Sequence, residues 1–506
     1  MPGFTFTGFG FNQPQIDNAG NVLFAGGWQT GPGHFDTQGG IFYGGPGTVV
    51  PVQIEGEPAG FPQPDWAIFP AWQYVLAETG TIVTRTFVGV QGSGGSALYV
   101  GSPDALAVVA GTGLPAVGGA QGTTMGISGV FRANGFGHVL FGQDVSNPRG
   151  SPPNCDTIAA GPASALSTLL QCDSQVPQIP GATFAGGIFD LSYNDLGWAG
   201  FSSFMEGPGI DITNHYAMFV GGPGDLQIVV REGDPAPGMP DGVTFLNFSN
   251  RPGQNTDGEI LFFGVVQGPG ITPANATGVW AGPREAPLPL IRNGDPAPGL
   301  PEGTTISLLD SANISDGHRV WYRAQFSGPG VTPESDEAFW WGDLDDVSVV
   351  IREGDPAPGM SDGTTVAFTT NPFFRPILAT NDTGDLLLSG FVSGADVTPA
   401  NDYALWFRES QSFTWDLVLR TGELFDGRTI AAGAGALVFV PTSGSDGLGQ
   451  AFNDDGSFAL TVAFTDGSKG IYRFSIPEPS GAALIILCAG CAGRFRPKRK
   501  ESHVCC

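Results

Sequence analysis

Arg231-Glu-Gly-Asp-Pro-Ala-Pro-Gly238 returns as Arg292-Asn-Gly-Asp-Pro-Ala-Pro-Gly299 and again as Arg352-Glu-Gly-Asp-Pro-Ala-Pro-Gly359, at steps of 61 and 60 residues. Each copy follows an apolar run and precedes a Gly-Thr-Thr or Gly-Val-Thr step. Weaker copies at Glu55-Gly-Glu-Pro-Ala59, Gly113-Leu-Pro-Ala116, Cys172-Asp173 with Pro177, and Arg420-Thr-Gly-Glu423 extend the ladder to seven positions on one period. A spacing that recurs along a whole chain marks a repeat architecture, in which each unit buries its apolar face against the next. In each strong copy an Arg (Arg231, Arg292, Arg352) stands three residues before an Asp (Asp234, Asp295, Asp355). The Asp is expected to cap the turn or pair locally with the Arg, while Pro-Ala-Pro fixes the corner.

A second box falls between these corners and reads Asn-x-x-Gly ahead of alternating apolar residues. It occurs as Asn194-Asp-Leu-Gly197, Asn255-Thr-Asp-Gly258, Asn381-Asp-Thr-Gly384 and Asn453-Asp-Asp-Gly456, with degenerate copies placed at Gly20, Gly80, Gly135 and Gly317. These eight glycines are 60, 55, 62, 61, 59, 67 and 72 residues apart, so eight units account for almost the whole chain.

The punctuation predicts what each unit folds into. Asn-Asp-x-Gly supplies residues that tolerate positive φ, and the run behind it, such as Glu259-Ile-Leu-Phe-Phe-Gly-Val-Val266, reads as a strand leaving a turn. Aromatic runs at Thr277–Trp280, Ala338–Trp341 and Tyr403–Phe407 read as a second strand. Leu226–Val230 and Val347–Ile351 read as a third, and Thr244–Phe248 as a fourth. Four short strands per unit of about 60 residues, with Gly and Pro at every corner, predict an all-β chain folded as a β-propeller of seven or eight blades. A parallel β-solenoid fits less well, because its turns are much shorter. Met1-Pro-Gly-Phe-Thr-Phe6 matches Pro180-Gly-Ala-Thr-Phe184, so the chain opens in mid-unit, and the last unit ends at Gly470–Phe474 without a final apolar strand. A ring-closing strand and an export signal are therefore expected upstream of Met1.

Composition agrees. The 79 Gly and 42 Pro make up about a quarter of 506 residues, which excludes a long-helix protein, while 41% hydrophobic and 11% aromatic residues suffice for a large core. Only 21 Lys and Arg face 48 Asp and Glu, a net charge of -27, which excludes nucleic acid as a partner because phosphate neutralisation needs clustered cations. Lys469 is the only Lys before residue 476.

Residues 476–506 differ in kind from the repeat domain, 1–475. Ile476-Pro-Glu-Pro-Ser480 leads into the apolar stretch Gly481–Gly493 and then into Arg494-Phe-Arg-Pro-Lys-Arg-Lys500. The tail carries +3 and the rest -30. A Pro-rich turn, an apolar stretch predicted as a short helix, and a basic stop are how a membrane segment with its basic end inside the cell is written. Pro477, Glu478 and Pro479 with Arg494, Arg496, Lys498, Arg499 and Lys500 resemble the PEP-CTERM sorting signal of Gram-negative bacteria. The Asn-x-x-Gly units resemble the NxxGxxAF tandem repeats of surface proteins with interchangeable C-terminal anchors. The resemblance implies export, an exosortase-type processing enzyme as partner, and a cell-surface or extracellular-matrix location, anchored to the membrane through the tail. It implies no catalytic residue.

Chemistry-bearing residues are sparse. Cys155 and Cys172 bracket an insertion and either close a disulfide, worth about 3 kcal/mol in an oxidising compartment, or stay unpaired. Cys488-Ala-Gly-Cys491 lies inside the apolar tail, where membrane packing is the simpler role, and the five His show no metal-ligand spacing. No cofactor motif is present. Calcium is the one candidate, at acidic loops such as Asn453-Asp-Asp-Gly456, Asp343 with Asp345 and Asp346, and Asp241 with Asp234, although none has an EF-hand spacing. Trp280, Trp340, Trp341 and Trp406 recur in one strand and are expected in the core, leaving Gln63-Pro-Asp-Trp-Ala67 as a candidate sugar-binding loop. The expected function is therefore non-catalytic: an exported surface or matrix protein that binds polysaccharide or protein. Its rivals are a propeller glycoside hydrolase or lyase and a calcium-dependent adhesin.

Overall fold

The computed structural model describes residues 5–475 apart from 10–12, 30–36, 60–64, 91–92, 120, 147–155, 172, 250–251, 369–375, 411, 413 and 441–446. Eight antiparallel sheets of three or more strands follow one another along the chain, spanning 5–54, 67–111, 124–170, 183–231, 244–292, 305–352, 365–420 and 437–475, and they form an eight-bladed β-propeller; a two-stranded hairpin, Leu424–Phe425 with Arg428–Thr429, lies between the last two. Blade six is the template: Thr305–Ser315, Arg319–Ser327, Glu337–Asp343 and Asp346–Arg352 pair in sequence order. In blades one, five and seven the first strand is interrupted, and its second piece (Gln15–Ile16, Gly253–Gln254, Ile377–Thr380) pairs separately with the strand that follows. Blade eight has three strands, Leu437–Val438, Ser457–Ala463 and Lys469–Ser475. The only helix among the described residues is the 3-10 turn Ala434–Ala436, and no helix there is long and apolar enough to cross a membrane.

The Gly-Asp-Pro element is the corner that carries the chain from the fourth strand of one blade to the first strand of the next. Its Pro pairs with the Thr that opens the next blade, Pro235 with Thr244, Pro296 with Thr305 and Pro356 with Thr365. Gly294 sits at φ +88°, a conformation that glycine adopts without steric cost. Asp295 Oδ2 accepts the Arg292 N–H at 2.8 Å and Asp355 Oδ2 the Arg352 N–H at 3.0 Å, so the Asp caps the turn as expected. Arg352 also pairs with Asp355 at 3.2 Å. The equivalent Arg231 and Arg420 instead donate from Nε to Asn214 O and Asn401 O, each at 2.7 Å, tying the corner to the neighbouring loop.

The repeated tryptophans explain the Pro-Ala-Pro. Trp280, Trp340 and Trp406 are fully buried, and their Nε1 groups donate to Pro237 O (3.2 Å), Pro298 O (2.9 Å) and Pro358 O (3.1 Å) of the preceding corner. A buried indole needs an acceptor for its N–H, and the corner supplies one. Between blades the core is continuous: Val230, the buried residue of a fourth strand, packs with Val243 and Phe245 of the next blade, as Ile351 does with Val366. Trp66 is half-buried against Ala59 and Ile68, so the loop singled out for sugar binding turns its indole inward.

The box turns lie together at one end of the ring, and they correct one of the degenerate positions and extend another. The fourth box residue adopts positive φ in every blade, and in blade three it is Gly137 rather than Gly135. In blade six Gly317 (φ +72°) and His318 (φ +65°) are both left-handed, and His318 is the one that stands fourth, counted from Ser315. The spacing becomes 60, 57, 60, 61, 60, 66 and 72 residues, more regular than the glycines alone suggest. Cys155 and Cys172 lie outside the described residues. So do the expected C-terminal helix and its residues Pro477, Glu478, Pro479, Arg494, Arg496, Lys498, Arg499 and Lys500.

Candidate functional site

The first box residue builds a ring around the propeller axis. The Oδ1 of Asn194 accepts the Trp198 N–H at 3.0 Å, closing its own turn, while its Nδ2 donates to the Asn255 carbonyl of the next blade at 2.8 Å. Asn134 reaches Asn194 O (3.2 Å), Asn255 reaches Ser315 O (3.2 Å), Asn381 reaches Asn453 O (2.9 Å) and Asn453 reaches Asp17 O (2.8 Å). The last of these joins blade eight to blade one. Where the amide is missing, another donor stands in. The Asn18 N–H bonds Glu78 O and the Thr79 N–H bonds Gly135 O around blade two, and the Arg319 guanidinium bonds Asp382 O beyond Ser315.

This ring brings the second box residues together: Asn18, Glu78, Gly135, Asp195, Thr256, Asp316, Asp382 and Asp454, one from each blade. Five are carboxylates. Three of them are held by the neighbouring blade. Asp195 Oδ1 accepts the Gly135 N–H at 2.6 Å, Asp316 accepts the Thr256 N–H at 2.7 Å and its hydroxyl at 2.5 Å, and Asp454 accepts the Asp382 N–H at 3.1 Å and Asn18 Nδ2 at 2.9 Å. Glu78 has only a long contact from Asn18 Nδ2, at 3.5 Å. Asp382 Oδ1 is buried and accepts no hydrogen bond. Among the described residues none of the five forms an ion pair.

Glu78, Asp382 and Asp454, from blades two, seven and eight, each place a carboxylate oxygen within 4.8 Å of the other two. The absence of a side chain at Gly135 makes room for this convergence, since a Cβ there would stand 2.7 Å from Asp195 Oδ2 and 3.0 Å from the Glu78 carboxyl. The electrostatics follow from the geometry. Burial, then the charges of Asp195, Asp454 and Asp316, push the Glu78 carboxyl up to about 7. Asp382 is driven far above the carboxylate range by burial and then by Asp316, Asp454, Glu78 and Asp195. Burial also raises Asp195 and Asp316, with partial relief from their hydrogen bonds. Such a site draws either protons or a hard cation.

Of the acids expected to hold calcium, Asp454 belongs to this group. Asp343 and Asp346 close the hairpin between the third and fourth strands of blade six, and Asp234 stands at a corner. Among the described residues no second group of acids has metal-ligating spacing. Glu78, Asp195, Asp316 and Asp382 were not anticipated. Their one sequence signal is position, directly after the first box residue, because the residue type there varies from blade to blade.

Among solved structures, the chain is similar to the β-propeller domain of the trilobed protease from Pyrococcus furiosus, at 8% identity and TM-score 0.38, covering 82% of this chain and 99% of that one. It is similar to an α-L-arabinofuranosidase of Fusarium graminearum at 11% identity and TM-score 0.25, over 69% of this chain and 88% of that one. It is also similar to oligopeptidase B from Trypanosoma brucei at 10% identity and TM-score 0.38, over 93% of this chain and 54% of that one. No curated protein matches the sequence. The defining pattern of DUF7453, a family of unknown function, matches residues 16–483, and the chain belongs to that family.

Proposed function

We propose that this protein is an exported, non-catalytic surface or matrix component that binds polysaccharide or protein, with a calcium ion held on the propeller axis by Glu78, Asp382 and Asp454. The observation that carries the axial site is the carboxylate of Asp382, whose Oδ1 is buried and unpartnered and which lies with carboxylates from two other blades, one oxygen of each within 4.8 Å of the others. An uncompensated buried carboxylate costs several kcal/mol, roughly, and a divalent cation removes that cost. Calcium suits an all-oxygen set, because it accepts carboxylates at about 2.3–2.6 Å in flexible geometry, whereas magnesium demands a tighter octahedron. Export and surface retention rest on the Pro-Glu-Pro and basic residues of the tail.

The non-catalytic reading rests on equivalence. All five axial acids occupy one repeated position, and each of the three best held takes its hydrogen bonds from an adjacent blade, which is the signature of a structural ring. The rival is a hydrolase or lyase using Glu78, whose raised proton affinity suits a general acid. Affinity electrophoresis in gels cast with neutral and acidic exopolysaccharides, paired with a reducing-end assay on the same polymers, separates the two. Retardation without new chain ends supports the binding role. New chain ends that vanish in E78Q overturn it.

A further inference from the structure

The third box residues form an exposed crown at the box-turn end of the ring, one from each blade. Thr79, Asp257, Thr383 and Asp455 fill this position with polar groups, so the turn itself asks for no apolar side chain. Blades three and four nevertheless place Phe136 there, 59% exposed, and Leu196, 48% exposed. The two stand at matching places on adjoining turns, because Asn134 Nδ2 donates to Asn194 O at 3.2 Å and the Gly135 N–H to Asp195 Oδ1 at 2.6 Å. Phe136 directly follows Gly135, where a Cβ would stand 3.0 Å from the Glu78 carboxyl, so an exposed aromatic residue borders the axial acids. Beyond this pair the rim is acidic: Asp257 is the next crown residue after Leu196, and Asp455 lies across the ring from it on blade eight. Behind the acids, residues 447–450 cross the ring interior, with the Ala133 N–H donating to Gly447 O at 3.0 Å and the Ile16 N–H to Gln450 O at 2.8 Å. Ala133 and Ile16 belong to blades three and one, so a ligand meets the axial acids from the crown.

We propose that the crown binds a polysaccharide carrying free amino groups, with the apolar face of a sugar ring on Phe136 and Leu196 and ammonium groups toward Asp257, Asp455 and the axial carboxylates. Resting on the binding role proposed above, the site selects by charge as well as by shape. Exposed apolar side chains grouped on one face mark a contact surface, and a pyranose offers them a face of C–H groups. A uronate polymer meets the net charge of -27 as like charge, whereas an ammonium is drawn to it. An extended peptide would need a free backbone edge, and the box turns use theirs on each other. The Asn194 and Asn453 carbonyls each accept both their own turn's glycine N–H and the amide of the neighbouring blade.

Titration calorimetry of the full chain with calcium present, at pH 6 and 150 mM salt, tests this on a β-linked glucosamine hexamer, its fully N-acetylated counterpart and hexalysine. Salt at that level screens diffuse attraction beyond about 8 Å. The glucosamine hexamer is expected to bind the wild type and L424S alike, Leu424 being 74% exposed on the hairpin between blades seven and eight. F136A and D455N are each expected to bind it about fivefold more weakly, and the acetylated hexamer to bind the wild type about tenfold more weakly. Unchanged affinity in F136A, equal binding of the two sugars, or no binding of either overturns the assignment, while retardation in the exopolysaccharide gels would still support the broader role. Hexalysine binding that is as tight and as dependent on Phe136 overturns the sugar in favour of a basic peptide. Chain ends released from the glucosamine hexamer, with the F136A loss intact, support the site and overturn the non-catalytic role instead.

Discussion

The side chain of Asn194 makes two bonds that no other residue type makes together: its oxygen closes its own turn and its nitrogen holds the next blade. That is why the box begins with Asn in five of the eight blades rather than with Asp, whose second oxygen would face a carbonyl. N194D is expected to lose about 1–3 kcal/mol of stability, read as a lower midpoint in urea, because an acceptor meets an acceptor in a buried position. Glu353 makes a parallel case at the corner. Its Oε1 accepts the Phe368 N–H at 2.9 Å, the same service that Asn293 Oδ1 performs for Leu309 at 3.1 Å. Burial and then Glu337, Asp336 and Glu334 push Glu353 up to about 7. A carboxyl with a raised folded pKa stabilises fully below its unfolded value near 4.5 and loses that contribution as pH rises through 7. E353Q should therefore match the wild type in melting temperature near pH 4.5 and exceed it near pH 8, by on the order of 1–2 kcal/mol. A constant difference across that range would contradict the assignment.

At the scale of the element, the Gly-Asp-Pro corner and the aromatic third strand turn out to be one device. Trp340 fills the space between blades and its N–H satisfies Pro298 O. W340F keeps most of the ring and leaves that carbonyl unpaired, so a loss of about 1–2 kcal/mol is expected, against about 3–5 kcal/mol for W340A. Equal losses would mean that the buried ring adds nothing beyond the hydrogen bond, and an unchanged W340F would mean that the hydrogen bond contributes nothing. These elements were legible in the sequence because their physics is local: proline and glycine fix corners, and alternation fixes strands. The box glycines were legible only in part. Asn134-Gly-Phe-Gly137 holds two glycines, and in Ser315-Asp-Gly-His318 a histidine as well as the glycine is left-handed. Backbone conformation, not residue type, defines the position, and a search for glycine slips by a residue or two.

For the whole molecule, the period near 60 residues and the all-β ring could be read from spacing, with the count of eight settled by the sheets. The axial site could not. Residues 78, 382 and 454 are remote in the chain, and each looks alone like a solvated turn acid; only closure of the ring through Asn453 and Asp17 brings them together. Part of the -27 charge is therefore concentrated on the axis rather than spread over the surface. G135A, which would crowd Asp195 and Glu78, is expected to weaken cation binding severalfold while leaving the blades folded, checked by the same titration as the wild type. Without calcium the ring should favour protons, so the apo protein is expected to melt at lower temperature as pH rises through about 7, the value to which Glu78 is raised, and calcium should flatten that slope.

The most direct measurement is a calorimetric calcium titration of the full chain at pH 7.5, beside D382N and the corner-distant control D343N. One calcium per chain is predicted for the wild type and for D343N, with at least tenfold weaker binding in D382N. No binding at millimolar calcium, or an isotherm that D382N leaves unchanged, would contradict a cation held on the axis.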